Sequence, residues 1–312
     1  MYGSFWENLR NAFRHQDNSL FKLIAINLIV FFVLLISRVI LTISGLGDLY
    51  REGLSWLMMP ASLEKLLWQP WSPLTYMFLH EGVFHILFNM LFLYWFGMII
   101  HQYLGSRKLA NLYILGGLFG AGFYLLIYNL APYFSNSVDT SMMLGASAGV
   151  FAVVVGAATL TPNTTFFLIL IGPVKIVYIA AFYVILSFAN SIGANAGGEI
   201  AHLGGALLGY IYVVQLRKGT DWGKPVQKVG IFFEDLFSGR KSKVKVSYRK
   251  AKTTSSPGGF SSFGNQKKAA PGPKSEETSQ EEIDKILDKI AEKGYDALSK
   301  EEKRKLFEFS KK

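Results

Sequence analysis

The polar residues with the clearest chemical potential lie within otherwise apolar segments of the chain. Ser147 is in the small-residue run Gly145–Gly149, and His202 is followed by a second glycine-rich run. A serine hydroxyl becomes a nucleophile when a histidine nitrogen takes its proton. The two residue types therefore permit catalysis by a serine–histidine pair, if the fold brings them within hydrogen-bonding distance.

The neighbours of these two side chains offer a way to bring them together. Gly205 and Gly209 are four residues apart, a small-xxx-small pattern on which membrane helices pack closely. The run around Ser147 is equally small, so the two faces are natural partners. His85 and Asn89 are also four residues apart, so their side chains share one helix face and can point at one target.

Each of these features also has a plainer interpretation. A lone serine in a membrane helix commonly bonds its own backbone, and a lone histidine is commonly a core or interfacial residue. A Gly-xxx-Gly pattern packs helices and carries no chemistry by itself. Spacing alone therefore leaves a purely structural role open for every one of them.

The elements that must position these residues are membrane helices. Six apolar runs approach the ~20 residues that a helix needs to cross a hydrocarbon core of about 30 Å. They cover residues 20–43, 83–103, 109–130, 142–160, 174–189 and 200–216. The fifth is the shortest, and the apolar stretch 166–171 could extend it. We therefore predict an all-α membrane protein built on a six-helix transmembrane bundle.

The charged residues give an orientation for this bundle. Cytoplasmic loops are enriched in Lys and Arg, and an inside N-terminus leaves only Arg51 and Lys65 in the outer loops. Both termini are then cytoplasmic. At 1.5 Å per residue, His85 and Asn89 lie about 3 to 10 Å into the second helix, Ser147 about 8 Å into the fourth and His202 about 3 Å into the sixth. A shared depth on three helices favours a functional site, because polar groups inside a membrane are costly.

The composition excludes several classes of function. The chain of 312 residues is 51% hydrophobic and only 17% charged, with a mean hydropathy of +0.28, so it is not a disordered protein. It has no cysteine, which rules out disulfides, thiolate catalysis and cysteine-ligated zinc. The net charge of +10 does not indicate a nucleic-acid partner, because it is concentrated in a tail without an aromatic stacking platform.

Changes in composition along the chain divide it into four predicted segments. Residues 1–19 are a cytoplasmic N-terminal segment, residues 20–217 the membrane domain, residues 218–278 a basic flexible linker, and residues 279–312 a small helical hairpin. The linker could also lie against anionic lipid. Capping-box patterns at Ser279 with Glu282 and at Ser299 with Glu302 mark the two hairpin helices. A hairpin this short suggests docking to a cytoplasmic partner or to the membrane body, although a free hairpin is the alternative.

Three signatures, taken together and in this order, resemble those of the rhomboid intramembrane serine proteases. They are His80-Glu-Gly-Val-Phe-His-Ile-Leu-Phe-Asn89, Gly145-Ala-Ser147 and Ala201-His-Leu-Gly-Gly205 with Gly209. The resemblance covers the predicted six-helix body. It implies proteolysis of single-pass transmembrane proteins within the lipid bilayer, in the bacterial cytoplasmic membrane, without a cofactor or metal.

The resemblance also assigns roles to residues. It implies that Ser147 is the nucleophile and His202 its general base, a dyad without a third, acidic member. His85, Asn89 and the backbone N–H of Ser147 would form the oxyanion hole. An aromatic ring at Phe151 would stack on the histidine. The positions expected to support the site are His80, Gly145, Phe151, Gly205 and Gly209.

Two positions depart from the family pattern. Ala148 follows the serine where the family usually has glycine, and Ser72 follows Trp71 where an arginine is common. The first predicts a local adjustment beside the nucleophile. The second puts one stabilising contact of the long loop 44–82 in doubt.

Some of the same residues also fit four other functions. Gly145–Gly149 matches the nucleophile elbow of α/β-hydrolases, but no strand precedes it, and the only acid between Ser147 and His202 is Glu199, three residues before the histidine in a predicted membrane helix. His80 and His85 are five residues apart, about 140° around a helix, which does not suit a zinc protease. A transporter is disfavoured because the sequence shows no paired inverted repeat. The remaining alternative is a non-catalytic rhomboid-like protein that binds transmembrane clients.

Overall fold

The computed structural model describes residues 18–168, 171–226 and 228, together with eight separate positions between 286 and 305. The chain divides into two compact units, residues 1–243 and 244–312. The first unit contains all the residues singled out above for chemistry.

Helices dominate the described part of the first unit. They are α1 Ser19–Ile43, α2 Gly47–Ser55, α3 Leu63–Trp68, α4 Ser72–Thr75, α5 Val83–Leu104, α6 Ser106–Leu130, α7 Ser147–Leu160, α8 Ile176–Asn190 and α9 Ala196–Arg217. Two antiparallel pairs of short strands complete it: β1 Met59–Pro60 with β2 Met142–Met143, and β3 Thr165–Leu168 with β4 Gly172–Lys175.

Four of these helices are long and apolar enough to cross a membrane. They are α1, α5, α6 and α9, with 22 to 25 residues each. The apolar helices α7 and α8 have only 14 and 15 residues, and 14 residues rise about 21 Å. The described chain is thus a helical membrane protein with four candidate spans, and the prediction of six crossings goes beyond what these lengths show.

The apolar exteriors of α1 and α8 agree with a membrane setting. Ile40 is 58% exposed on α1, and Ile185 is 67% exposed on α8. Exposed apolar surfaces of this kind are unusual on a soluble protein and are typical of helices that face lipid.

The prediction for the fourth apolar run was wrong at its beginning. The run was expected to be helical from residue 142, but Met142 and Met143 pair with β1, and α7 begins at Ser147. Gly145, between the strand and the helix, has a φ of +137°. A left-handed backbone of this kind favours glycine and interrupts a right-handed helix.

The segment before α8 also differs from the prediction. The apolar stretch 166–171 could have extended the fifth helix, but Thr165–Leu168 instead forms a hairpin with Gly172–Lys175. Val and Phe are good strand residues, and Pro173 lacks the N–H that a helix interior needs. The helix therefore begins only at Ile176.

The long predicted loop 44–82 is folded rather than extended. Besides β1 it contains α2, α3, α4 and a 3₁₀ turn at Tyr76–Phe78. The rings of Trp56 and Trp71 stack at 6.3 Å, and Trp71 Nε1 donates to the carbonyl of Trp56 at 2.8 Å. The contact between Trp56 and Trp71 thus stabilises the loop next to Ser72, the position where the family commonly has an arginine.

Contacts between helix ends place several basic residues on one face of the bundle. Lys108, at the start of α6, forms an ion pair with Asp221, just after α9. Arg217, at the end of α9, donates to the carbonyl of Thr159 at the end of α7. Burial raises the pKa of Asp221, but the hydrogen bond from Lys108 outweighs it, so the net pKa lies below its usual range. Lys108 and Arg217 thus lie at the same end of the helices.

In the second unit, the structure describes one of the two predicted capping boxes. The N–H of Ser299 donates to the Glu302 carboxylate at 2.7 Å, and the N–H of Glu302 donates to Ser299 Oγ at 3.3 Å. This reciprocal pairing is the one that the spacing predicts. The other box, at Ser279, and most of the hairpin lie outside the described residues.

Candidate active site

One polar cavity lies where the N-terminal ends of three helices meet. Its volume is about 570 Å³, and its lining includes His85 from α5, Ser147 from α7 and His202 from α9. The sequence analysis placed these three residues at a similar depth on different helices. The structure brings all three to a single cavity.

Ser147 is the first residue of α7. The first N–H groups of a helix have no partner within it, and the helix dipole makes this end positive. The backbone N–H of Ser147 is therefore of the type that can receive a developing negative charge. The hydroxyl nucleophile and a backbone donor thus come from the same residue.

Gly145 leaves the space that joins Ser147 to His85. A Cβ atom at this position would lie 3.1 Å from His85 Nε2 and 3.3 Å from Ser147 Oγ. The backbone is fixed by the hydrogen bond from the N–H of Gly145 to the carbonyl of Tyr76, at 2.9 Å. Gly145 is thus required twice, by its positive φ and by the room it leaves between the two side chains.

Asn89 is less directly placed than His85. Its amide Nδ2 donates to the carbonyl of His85 at 2.8 Å, and it lines a neighbouring apolar cavity of about 330 Å³ that also borders Phe151. An amide carries two N–H donors, so one remains for another acceptor. The structure therefore brings His85 to the polar cavity, whereas Asn89 lines the apolar one.

His202 is held flat against an aromatic ring. The rings of Phe151 and His202 lie 4.3 Å apart with an interplanar angle of 9°. Phe151 is four residues after Ser147, on the same face of α7. This stack is the arrangement that the resemblance implies, and it limits rotation of the imidazole.

Ser147 and His202 share the cavity without a direct hydrogen bond of 3.5 Å or less in the described residues. Catalytic hydrogen bonds are often long in a structure without substrate and shorten in the reacting complex. The pair is therefore placed for a nucleophile and base that engage when substrate enters.

The sequence analysis named Glu199 only as an acid for the disfavoured hydrolase fold, and the structure places its carboxylate beside His202. Glu199 Oε2 lies 3.1 Å from His202 Nδ1, and Ser187 Oγ on α8 lies 3.2 Å from the same nitrogen. The resemblance implies a dyad with no acidic member, and the contact with Glu199 adds a carboxylate to the surroundings expected for His202. The spacing of three residues between Glu199 and His202 was a signal for the contact.

His80 packs behind His85. Their ring centroids are 5.0 Å apart at 67°, and His80 is 7% exposed. Burial and the neighbouring His85 lower the pKa of His80 to about 3, so it is a neutral support for the His85 ring at physiological pH. Within the described ranges no group of three or more His, Asp or Glu side chains could hold a metal ion.

The two glycines of α9 set its distance from α7. A Cβ atom at Gly205 would lie 2.0 Å from the carbonyl oxygen of Ala148, and one at Gly209 would lie 2.3 Å from that of Ala152. The two backbones are therefore in direct contact, as the small-xxx-small pattern predicts. This contact fixes the first turn of α7, where Ser147 lies, against the helix that carries His202.

Known proteins were compared with the chain. A family model described as the Rhomboid domain matches residues 67–219, and a family of unknown function (DUF6576) matches residues 274–312. Among curated relatives from Arabidopsis thaliana, "RHOMBOID-like protein 12, mitochondrial" is 33% identical over 157 residues, 47% of this chain and 46% of the relative.

Two further relatives come from the same plant. "RHOMBOID-like protein 1" is 28% identical over 48% of this chain and 36% of the relative, and "Inactive RHOMBOID-like protein 8" is 29% identical over 33% and 28%. The matched part is thus less than half the length of each curated relative. The domain match covers all three helix starts that build the polar cavity, and the chain belongs to the rhomboid family.

Proposed function

We propose that this protein is an intramembrane serine protease that uses Ser147 as nucleophile and His202 as general base. The observation that carries the proposal is the convergence of Ser147, His202 and His85 on one polar cavity at the starts of three helices. The match to the Rhomboid domain supports it.

The chemistry follows from the free atoms around the cavity. His202 Nδ1 is occupied by contacts to Glu199 and Ser187, which leaves Nε2 to accept the proton of Ser147 Oγ. The oxygen then attacks a peptide carbonyl, and the protonated imidazole returns its proton to the leaving amine. Water activated by the same nitrogen hydrolyses the acyl-enzyme.

Two donors are available for the oxyanion of the tetrahedral intermediate. The first is the backbone N–H of Ser147 at the start of α7. The second is His85 Nε2, since this nitrogen and Ser147 Oγ border the same space above Gly145. Asn89, which lines the neighbouring apolar cavity, would contribute its second N–H.

Removing the oxyanion donors gives a graded prediction. We expect His85→Ala to lower kcat about 100-fold, because one oxyanion donor is worth about 10² to 10³ in rate. Asn89→Ala is expected to cost about tenfold or less, because its amide is already bonded to the carbonyl of His85. Steady-state cleavage of a transmembrane substrate measures both. A larger loss for Asn89→Ala than for His85→Ala would contradict this order.

The proposed substrate is a single-pass transmembrane protein. An apolar cavity lined by Phe88, Phe92 and residues of α7 and α8 opens beside the polar one. We infer that a substrate helix enters from lipid there and unwinds near the surface, since a helical backbone has its carbonyls bonded. Small or helix-weakening residues at the cleavage site lower the cost of unwinding.

The proposed topology is the one that the basic residues favour. All six apolar helices, including the short α7 and α8, would lie in the bacterial cytoplasmic membrane, with both termini on the cytoplasmic side. The face that carries Lys108 and Arg217 would then be cytoplasmic, and the polar cavity would lie near the opposite surface.

A non-catalytic client-binding protein is the second candidate. The similarity to a relative named an inactive rhomboid-like protein favours it. Against it, this chain has both Ser147 and His202, and they line one cavity.

Mapping the cleavage site separates the two candidates. The full chain, reconstituted in liposomes, is incubated with a single-pass substrate and with the same cleavage sequence placed in a soluble protein. We expect one cut in or next to the membrane segment of the first substrate and none in the second. Cuts confined to soluble domains would contradict an intramembrane protease, and binding without any cut would favour the client-binding function.

A further inference from the structure

The side chains behind His202 form a polar cluster that a serine–histidine dyad does not need. Glu199 and Ser187 both lie within 3.2 Å of His202 Nδ1. The three side chains are mostly removed from solvent: those of His202 and Glu199 are 13% and 18% exposed, and Ser187 is 2% exposed.

The chemistry of the partners fixes the state of the imidazole. An ionised carboxylate only accepts hydrogen bonds, so the nitrogen that faces it must carry the hydrogen. A neutral imidazole has one N–H, and its other nitrogen is then an acceptor. With Nδ1 as donor, Nε2 is left to accept a proton from Ser147.

We propose that Glu199 is a positioning residue of the active site, which holds His202 with Nδ1 protonated and Nε2 free toward the cavity that Ser147 lines. The inference rests on the proposed protease function. It replaces the expected dyad by a serine–histidine–glutamate arrangement in which Glu199 and His202 lie on consecutive turns of α9. Ser187, from α8, contacts the same nitrogen of His202.

Two physical effects make this contact matter for the rate. The tautomer of His202 is fixed before the reaction, so Nε2 is always the nitrogen that can accept the proton of Ser147. The carboxylate also stabilises the imidazolium that forms when Ser147 loses its proton, because opposite charges at this distance attract strongly in a site of low dielectric. Both effects act on the chemical step and leave substrate binding unchanged.

The test compares Glu199→Gln, Glu199→Asp and wild type in the liposome cleavage assay. We expect Glu199→Gln to lower kcat about 100-fold with KM unchanged. This loss is smaller than the ~10⁴-fold loss in kcat that follows when the buried acid of a serine protease triad becomes an amide. Glu199→Asp is expected to recover at least tenfold over Glu199→Gln, because it keeps the charge. The matched control is Glu64→Gln, on the exposed face of α3, which should cleave like wild type.

A second readout separates positioning from folding. The protein has five histidines, so nitrogen-15 shifts of labelled histidine can be assigned to His202 with a His202→Gln variant. We expect Nδ1 to carry the hydrogen in wild type and to lose it in part in Glu199→Gln. Unchanged kcat in Glu199→Gln, or unchanged His202 shifts, would overturn the inference.

The outcome also distinguishes this inference from the function on which it rests. A wild type that cleaves no transmembrane substrate defeats the proposed protease and, with it, a catalytic meaning for Glu199. A wild type that cleaves normally beside an equally active Glu199→Gln leaves the protease standing and defeats only the role of Glu199.

Discussion

Replacing Ser147 with alanine is expected to abolish proteolysis, with a loss of about 10⁶-fold in kcat. Losses of this size follow when a serine nucleophile is removed, because the acyl-enzyme can no longer form. His202→Ala should reduce kcat by a similar factor, since nucleophile and base act as one unit and their losses do not add. Gel-based cleavage of a single-pass substrate by the reconstituted protein measures both variants and the double variant.

Matched controls keep this prediction specific. Ser55→Ala removes a hydroxyl that bonds only the carbonyl of Glu52 within α2, and His101→Gln alters a histidine at the far end of α5. Both should retain wild-type activity. A serine-reactive fluorophosphonate should label wild type and both controls but not Ser147→Ala. Residual cleavage by purified Ser147→Ala above a blank would place the nucleophile elsewhere.

The inactive relative makes this experiment decisive for the function. A client-binding protein would leave the mutual position of Ser147 and His202 without consequence, whereas a protease needs both. If wild type and Ser147→Ala bind a transmembrane client equally and neither cleaves it, the result supports the client-binding function and contradicts the protease.

Much of the fold followed from the sequence because long apolar runs leave few alternatives. The bounds predicted for α1, α5 and α6 agree with the structure to within three residues, since charged or polar residues interrupt each run at its ends. The small-residue patterns also predicted which helices touch. A glycine that faces a backbone carbonyl has no other reason to be there than close packing.

The parts that the sequence did not predict depend on contacts between distant segments. The start of α7 is set by strand pairing between Met59 and Met143, 84 residues apart, which leaves no periodic signal at residue 142. The contact of Ser187 with His202 joins two different helices, α8 and α9. The spacing placed Asn89 on the helix face of His85, but its hydrogen bond to the carbonyl of His85 and its position in the apolar cavity were not predicted.

The second large effect is expected at Gly205, which does no chemistry. A methyl group there would lie 2.0 Å from the carbonyl oxygen of Ala148 and 2.8 Å from its carbonyl carbon, and real Cβ atoms do not come so close to backbone. In Gly205→Ala, α9 must therefore move away from α7 by about 1 Å or more. Overpacking of this kind costs about 1 to 3 kcal/mol of stability.

The displacement reaches the active site directly. Ala148 is the residue after Ser147, and Gly205 is three residues after His202, so the clash pushes the side chains of Ser147 and His202 apart. A misplacement of 1 Å costs about 10²-fold in rate, and we expect Gly205→Ala to lose at least that much kcat together with several degrees of thermal stability. Gly209→Ala, with its contact one turn further from the site, should lower stability similarly but kcat less.

Gly122→Ala on α6 is the control, because a methyl group there meets nothing within 4 Å. It makes the same chemical change in a membrane helix, and both its cleavage rate and its melting temperature should match wild type. If Gly205→Ala also matched wild type in both measurements, the direct backbone contact between α7 and α9 would be excluded. Since that contact is what holds Ser147 against the helix of His202, its loss would also remove the geometric basis for pairing these two residues.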